Sequence, residues 1–358
     1  MKRPIHRTPV TQKQIAAELG VSRQLVSLAL NGTGRISATN RTRVQETARR
    51  LGYDATSNLE ARAMIARRYS KRARTGLLGC VAVPSVEDPS VPNATRLPYE
   101  IHLLQGVRRT AHQHGRDVVL LPPVPSSGWE RVDGLLVHGP NALTVRERLG
   151  VEIPIVTMMH VVPGLDGVKS EDREGASLAT EHLIQLGHRR IGYLHYAEST
   201  PAVQERLLGY EAALRRRGIR PQKSWLGELA NHGPMIRRGQ LSMEAWLRDG
   251  WEQAGCTALL VQNDRAAVGA MAALRAAGIR VPQDLSVIGY DSTDECELTV
   301  PRLTSVEVPL EEIGARAARI LLDLIENDVD GSDVAVSQVI SLPTRLEMRD
   351  STCPPSAS

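Results

Sequence analysis

Apolar positions recur at helical spacing through the first fifty residues, then give way to short apolar blocks separated by longer amphipathic stretches. In residues 11–31, Ile15, Ala16 and Leu19 share one helical face, and Val26, Ala29 and Leu30 share another. Thr11 and Ser22 are placed to cap these two predicted helices, and Gly20 between them supplies a turn that needs positive φ. Ser37 caps a third helix over 40–51, closed by Gly52, whose Val44, Ala48 and Leu51 complete a three-helix core. Ala16 allows close helix approach and Val26 plugs the centre, which is helix-turn-helix spacing; in that motif the second helix enters a major groove. The competing reading is a surface helical hairpin. Residues 58–68 predict one more short helix, and the charged run 69–74 reads as a linker that orders on nucleic acid.

From Gly76 onward the blocks 77–83, 118–121, 134–137, 155–158, 191–194, 258–261 and 287–290 predict strands. Helical stretches 99–114, 175–186, 201–217 and 264–277 fall among them. This alternation predicts parallel sheets covered by helices, and its length predicts two α/β subdomains. Ligands of such sheets bind beyond the carboxyl ends of the strands, here in the cleft between subdomains. Residues 351–358 read as a disordered tail.

Charge sharpens the division. Residues 1–75 hold 16 Lys+Arg against 4 Asp+Glu, a charge of +12, so the rest carries −8 of the total +4. A basic head on an acidic body is the footprint of a polyanion binder with a second module. The four cysteines are scattered without a CxxC pair, which argues against zinc and a disulfide framework and fits a reducing cytoplasm. No apolar run reaches ~18 residues and the N-terminus is polar, so neither a membrane partner nor export is expected. No GxSxG, HExxH, P-loop or GxGxxG is present, so no enzyme, cofactor or metal is expected.

Six ordered blocks carry a resemblance. They are Val10-Thr11 through Leu30-Asn31; Ile36-Ser37, Arg41 and Val44; Glu181-His182-Leu183 with Gly187 through Tyr193; Arg206 with Gly209-Tyr210; Asn263-Asp264 with Gly269-Ala270; and Val281 through Asp291. Over residues 10 to about 350 the chain resembles the lactose-repressor (LacI/GalR-type) family of bacterial transcription regulators. The resemblance implies a helix-turn-helix head (1–57), a hinge helix and linker (58–75), and a periplasmic-binding-protein-like body (76–350). Its N-subdomain is expected at about 76–168 and 308–337, and its C-subdomain at about 169–307 and 338–350. It also implies a homodimer on a pseudo-palindromic duplex DNA operator, with a small polar, sugar-like effector in the cleft adjusting head spacing. Blocking needs no polymerase contact, so repression is the expected direction.

By the same resemblance, Arg23 and Gln24 read bases, and their side chains suit guanine O6/N7 and adenine N6/N7. Ser22, Ser27, Asn31 and the helix start at Thr11 fit phosphate contacts, as does Arg62; Arg41 joins the expected DNA contacts. Leu28 replaces a common basic reader and offers only apolar contact with a thymine methyl. Asn58 opens the hinge helix and Met64 takes the place of its minor-groove wedge. The family's Pro-Asn is replaced by Asp54-Ala55-Thr56-Ser57 before Asn58, two residues longer.

In the cleft, Arg206, Asn263 and Asp291 fall on ligand positions, joined by Tyr99 and by His160, where an acidic contact is common. A structural salt bridge is the competing reading for Arg206. Asp264 reads as a helix cap, and His182 and His188 as structural, with His188 satisfying carbonyls at a helix end. Two departures fall in the first subdomain: an insertion at 86–97, and a segment 122–133 too short for the usual crossover helix. Two further functions stay open, a cytoplasmic small-molecule binder and an effector-independent DNA binder.

Overall fold

Gly20, at φ +66°, ends the first helix and turns the chain into the second. The computed structural model describes residues 12–31, 36–51, 74–82, 98–121, 131–138, 153–197, 200–327 and 337–356. It divides at Thr75 and Gly76 into two compact units. The head contains α1 (Gln12–Leu19), α2 (Arg23–Asn31) and α3 (Ala38–Leu51). Their apolar faces meet in a core of Ile15, Ala16, Val26, Ala29, Val44 and Ala48. Ser22 Oγ accepts the Leu25 N–H at 3.2 Å, and Ser37 Oγ accepts the Asn40 N–H at 3.3 Å; each cap satisfies a donor the helix leaves orphaned. An Arg50–Glu18 ion pair ties α3 to α1. Thr11, Gly52, the hinge over 58–68 and the run 69–73 lie outside the described residues.

The body holds β1 (Leu77–Ala82), α4 (Pro98–Gln113), β2 (Asp117–Leu121), β3 (Gly134–His138), β4 (Ile155–Met158) and β5 (Asp166–Ser170). Next come α5 (Asp172–Gln185), β6 (Ile191–Tyr196), α6 (Pro201–Arg216), β7 (Leu226–Leu229), α7 (Met235–Asp249) and α8 (Trp251–Ala254). These lead into β8 (Ala258–Val261), α9 (Asp264–Ala276), β9 (Ser286–Asp291), α10 (Glu295–Leu298) and β10 (Thr304–Glu307). The chain closes with α11 (Leu310–Asn327), β11 (Val339–Leu342) and β12 (Arg345–Glu347). Two six-stranded sheets result, in the orders β11-β5-β4-β3-β1-β2 and β12-β10-β9-β8-β6-β7. All pairs are parallel except β10–β12. Strands β3, β4 and β8 are buried along their whole length, as parallel strands covered on both faces must be.

The chain passes between the sheets three times: after β5, after β10 and after β11. The third passage corrects the subdomain limits drawn from sequence. Residues 338–350 were assigned together to the second subdomain, yet β11 pairs with β5 in the first sheet and only β12 pairs in the second. A four-residue strand carries no local signal of the sheet edge it extends. The insertion at 86–97 lies outside the described residues, as does most of the short β2–β3 connection.

Helices on each sheet touch at glycines. A Cβ on Gly106 of α4 would lie 1.9 Å from the Glu311 carbonyl oxygen, and one on Gly314 of α11 would lie 2.0 Å from that of Leu103. The requirement here is room for two backbones, since neither residue has positive φ. Gly106→Ala is expected to force α4 and α11 apart and destabilise the body by about 1–3 kcal/mol. A lower urea midpoint at unchanged slope would show it.

The expected disorder of the tail fails for Ser351–Ser356. The buried Ser351 donates its hydroxyl to the Val287 carbonyl at 2.6 Å and accepts the Thr304 N–H at 2.8 Å. His188 is buried within 2.8 Å of Thr257 Oγ1, 3.1 Å of Ser286 Oγ and 2.9 Å of the Cys353 carbonyl. Burial holds its imidazole below the usual histidine pKa. Its carbonyl partner is therefore in the tail rather than at the end of its own helix. His182 Nε2 lies 3.1 Å from Thr352 Oγ1. These polar partners, distant in sequence, hold a segment too small and polar to pack by itself.

Candidate functional site

On the head, capping at Ser22 fixes where α2 begins and so which side chains it presents. Ser22, Arg23 and Gln24 are exposed in its first turn, and Ser27 and Leu28 are half-buried further along. Asn31 ends the helix, its side chain outside the described residues. Arg41 is half-buried on α3, and its buried Nε has no hydrogen-bond partner among the described residues. A helix start with exposed Arg and Gln offers donors in the fork geometry that phosphates and base edges accept. Asn58, Arg62 and Met64 lie outside the described residues.

In the body, the carboxyl ends of the second sheet's strands converge on Arg206. Thr200 caps α6, accepting the Val203 N–H at 3.4 Å, and Pro201 occupies its first turn. One and a half turns on, Arg206 lies buried across the Tyr290 ring, its guanidinium carbon 3.6 Å from the ring centroid. Its Nε donates to Asp172 Oδ1 at 2.8 Å, its Nη1 donates to the Gln262 carbonyl at 2.7 Å, and its Nη2 lies 3.7 Å from Asp291 Oδ1. The structural salt bridge expected as the competing reading for Arg206 is thus present, with Asp172 and Asp291 as its acids. Ser170 Oγ donates to the other Asp172 oxygen at 3.2 Å, and Tyr290 Oη donates to the Asp172 carbonyl at 3.2 Å.

Asn263 caps α9 through Oδ1, which accepts the Ala266 N–H at 2.8 Å, while its Nδ2 donates to Tyr196 Oη at 2.7 Å. This corrects the expectation that Asp264 is the cap. Asp264 is buried and instead accepts from the Thr293 N–H at 2.7 Å, Thr293 Oγ1 at 3.2 Å and Ser305 Oγ at 2.5 Å. It braces the loop after β9, where Asp291 and Ser292 hold φ of +106° and +53°. Non-glycine residues in that region cost of order 1–3 kcal/mol and persist only when their surroundings enforce them.

The first sheet contributes histidines. His160 follows Met159 (φ +66°) just past β4, and its buried Nδ1 has no hydrogen-bond partner among the described residues. Its ring meets that of His138 edge-on, with centroids 5.7 Å apart, and His138 Nδ1 lies 3.6 Å from Glu100 Oε1. Burial, then repulsion from His160, lowers His138 to about 3. Burial also lowers His160; Asp172 opposes that and Arg206 adds to it. His138 and Glu100 were missed in the sequence. The signal available was His138's place at the carboxyl end of an apolar block. Tyr99 lies on α4, and its side chain is outside the described residues. Among those residues, no group of three or more His, Cys, Asp or Glu side chains is placed to hold a metal ion, and no helix is long and apolar enough to cross a membrane.

Burial pushes the Asp291 carboxyl up to about 8, against the opposing pull of Arg206. An acid whose folded pKa is raised contributes its full stability below the unfolded value and loses it as pH rises through the folded one. Asp291→Asn is therefore expected to flatten the decline in stability between pH ~4 and ~8. The slope of denaturation free energy against pH is the measurement; an unchanged slope contradicts the assignment.

Residues 180–352 match a periplasmic binding protein-like domain. The chain is 28% identical over 351 residues to the transcriptional repressor CytR of Escherichia coli K12, covering 93% of this chain and 94% of that one. It is 30% identical over 332 residues to the regulator GalR of the same organism, covering 88% and 90%. Among solved structures, the lac repressor dimer bound to operator and the anti-inducer ONPF superposes with a TM-score of 0.73 at 26% identity, covering 97% and 100%. The CelR–cellobiose complex superposes at 0.65, also at 26% identity, covering 96% and 99%.

Proposed function

Because the chain belongs to the LacI/GalR family and is a DNA-binding transcriptional regulator rather than an enzyme, we propose that it represses from a pseudo-palindromic operator as a homodimer in the cytoplasm. A small polar ligand, a sugar or related metabolite, in the inter-subdomain cleft modulates its grip. The carrying observation is Arg206, buried at the carboxyl ends of the strands with the carboxylates of Asp172 and Asp291 beside it. The CelR–cellobiose complex supports that ligand class.

Arg23 and Gln24 read bases in this proposal, with Leu28 against a thymine methyl. Ser22, Ser27, Asn31, Arg41 and Thr11 hold the backbone, and Asn58, Arg62 and Met64 serve the hinge. Asn263, Asp291, His160 and Tyr99 complete the ligand set around Arg206. The head, hinge and body limits are those given above, with residues 343–344 now marking the third passage. Leu298 and Val300, 80% and 90% exposed, offer apolar surface for a second copy to cover.

Enrichment from a random duplex pool tests the DNA half, and two-fold-related half-sites are the expected product. Affinity for the enriched duplex should fall steeply with salt, because each neutralised phosphate adds about 0.9 to the log–log slope. A thermal-shift screen of sugars tests the ligand half: a ligand at 100 times its Kd adds about 2.7 kcal/mol. A flat salt dependence refutes the first half, and a hit whose shift survives Arg206→Ala refutes the second.

A further inference from the structure

One face of the body gathers cations from several elements. In a parallel sheet covered by helices, strands begin at the edge where the helices end, and the second sheet gathers arginine there. Arg189 and Arg190 precede β6, Arg217 and Arg220 follow α6, Lys223 precedes β7, and Arg275 sits in the last turn of α9. All six are exposed, and none has a carboxylate within ion-pair distance among the described residues. Five further arginines of this face are each tied to an acid: Arg215 to Glu211, Arg216 to Glu181, Arg248 to Asp249, Arg280 to Asp284 and Arg302 to Asp350. Glu252, and Glu347 at the end of antiparallel β12, are exposed carboxylates here without such a tie among the described residues.

Helix dipoles favour cations at helix ends, but that effect falls off within the last turn. Arg189, Arg190, Arg220 and Lys223 lie beyond it. Unpaired like charges repel one another, and here they do so on a body whose sequence is otherwise acidic. A polyanion removes that repulsion. Five of the six are arginine, whose planar fork binds phosphate oxygens in pairs and is weakly hydrated. The face is built from several elements braced by the His188 network, so the cations are held together rather than trailing from a mobile segment.

We propose that this strand-start face of the second sheet is a second, sequence-independent site for duplex DNA, separate from the helix-turn-helix head. The protein holding an operator would then engage another DNA segment through its body. Phosphates alone are contacted, so the site discriminates by charge and carries no base readout.

A bridging assay decides it. Full-length protein is saturated with excess fluorescent duplex from the enrichment and passed over beads bearing a random-sequence duplex. Fluorescence retained on the beads at low salt, and lost as salt rises, is the expected result. Exchanging the exposed cations in Arg189→Glu, Arg190→Glu, Arg217→Glu and Arg220→Glu together should reduce retention by on the order of a hundredfold. Operator affinity and melting temperature should stay unchanged. Absence of retention with the unaltered protein overturns the proposal, as does retention that survives the four exchanges, which would assign bridging to the heads. Retention displaced equally by polyglutamate at matched charge also overturns it, in favour of an acidic protein partner. Failure of the enrichment itself would count against the operator reading; a random duplex then takes its place in the same assay, and the body site is judged independently.

Discussion

Arg206→Ala is expected to abolish the response to effector while leaving operator affinity intact, and to destabilise the body by about 3–5 kcal/mol, because it strands Asp172 as a buried, uncompensated charge. Those two effects have different causes and can be separated. In the double variant Arg206→Met with Asp172→Asn, both charges of the 2.8 Å pair are gone, and burying a neutral pair of similar volume recovers much of the lost stability. The ligand loses its fork of donors all the same. Recovery of the urea midpoint without recovery of the effector response is therefore the expected pattern. If the double variant responded to effector normally, the arginine would be a structural brace of the strand ends and nothing more. Ser170 Oγ, which now donates to Asp172, keeps an acceptor in the asparagine oxygen, while the Gln262 carbonyl loses its Arg206 donor, so recovery of stability is expected to be partial.

Arg23→Ala is expected to cost ~1–3 kcal/mol on the enriched operator, roughly tenfold or more in Kd, and to relax preference at one base position in each half-site. The physical reason is the exposed fork at the start of α2, whose position is set by the Ser22 cap. Binding isotherms on the operator and on single-base variants distinguish readout from anchoring. An equal loss on every sequence, with the salt slope reduced by about one, would place Arg23 on phosphate. Folding is not at stake, because Arg23 is exposed and takes no part in the head core.

Much of this protein was legible in its sequence, for reasons that differ from element to element. The head cores and caps are local: Ile15, Ala16, Val26 and Ala29 are close in the chain, so helical periodicity finds them. The buried strands β4 and β8 coincide with the apolar blocks 155–158 and 258–261. Strands with fewer apolar residues escaped the same reading. β5, β7, β11 and β12 mix polar residues with few apolar ones, as Asp166-Gly167-Val168-Lys169-Ser170 shows, and α7 was missed with Arg237, Arg238 and Gly239 interrupting its apolar face.

The candidate ligand set divides in the same way. Arg206, Asn263 and Asp291 stand in recognisable blocks, whereas Glu100 and His138 belong to no motif and meet only through the fold, Glu100 on α4 and His138 at the end of β3. Asn263 rather than Asp264 proved to be the cap, since either residue type suits that position and only the loop after β9 shows why Asp264 is otherwise engaged.

Amino-acid order alone determined the basic head, the α/β class of the body and the family, because periodicity, charge and motif spacing are properties of neighbouring residues. Tertiary structure alone decided that the last residues are pinned by His188 and Ser286, that β11 and β12 go to different sheets, and that unpaired arginines from three parts of the chain share one face. Each of those joins groups tens to hundreds of positions apart, and their energies depend on burial and distance, which no local pattern encodes.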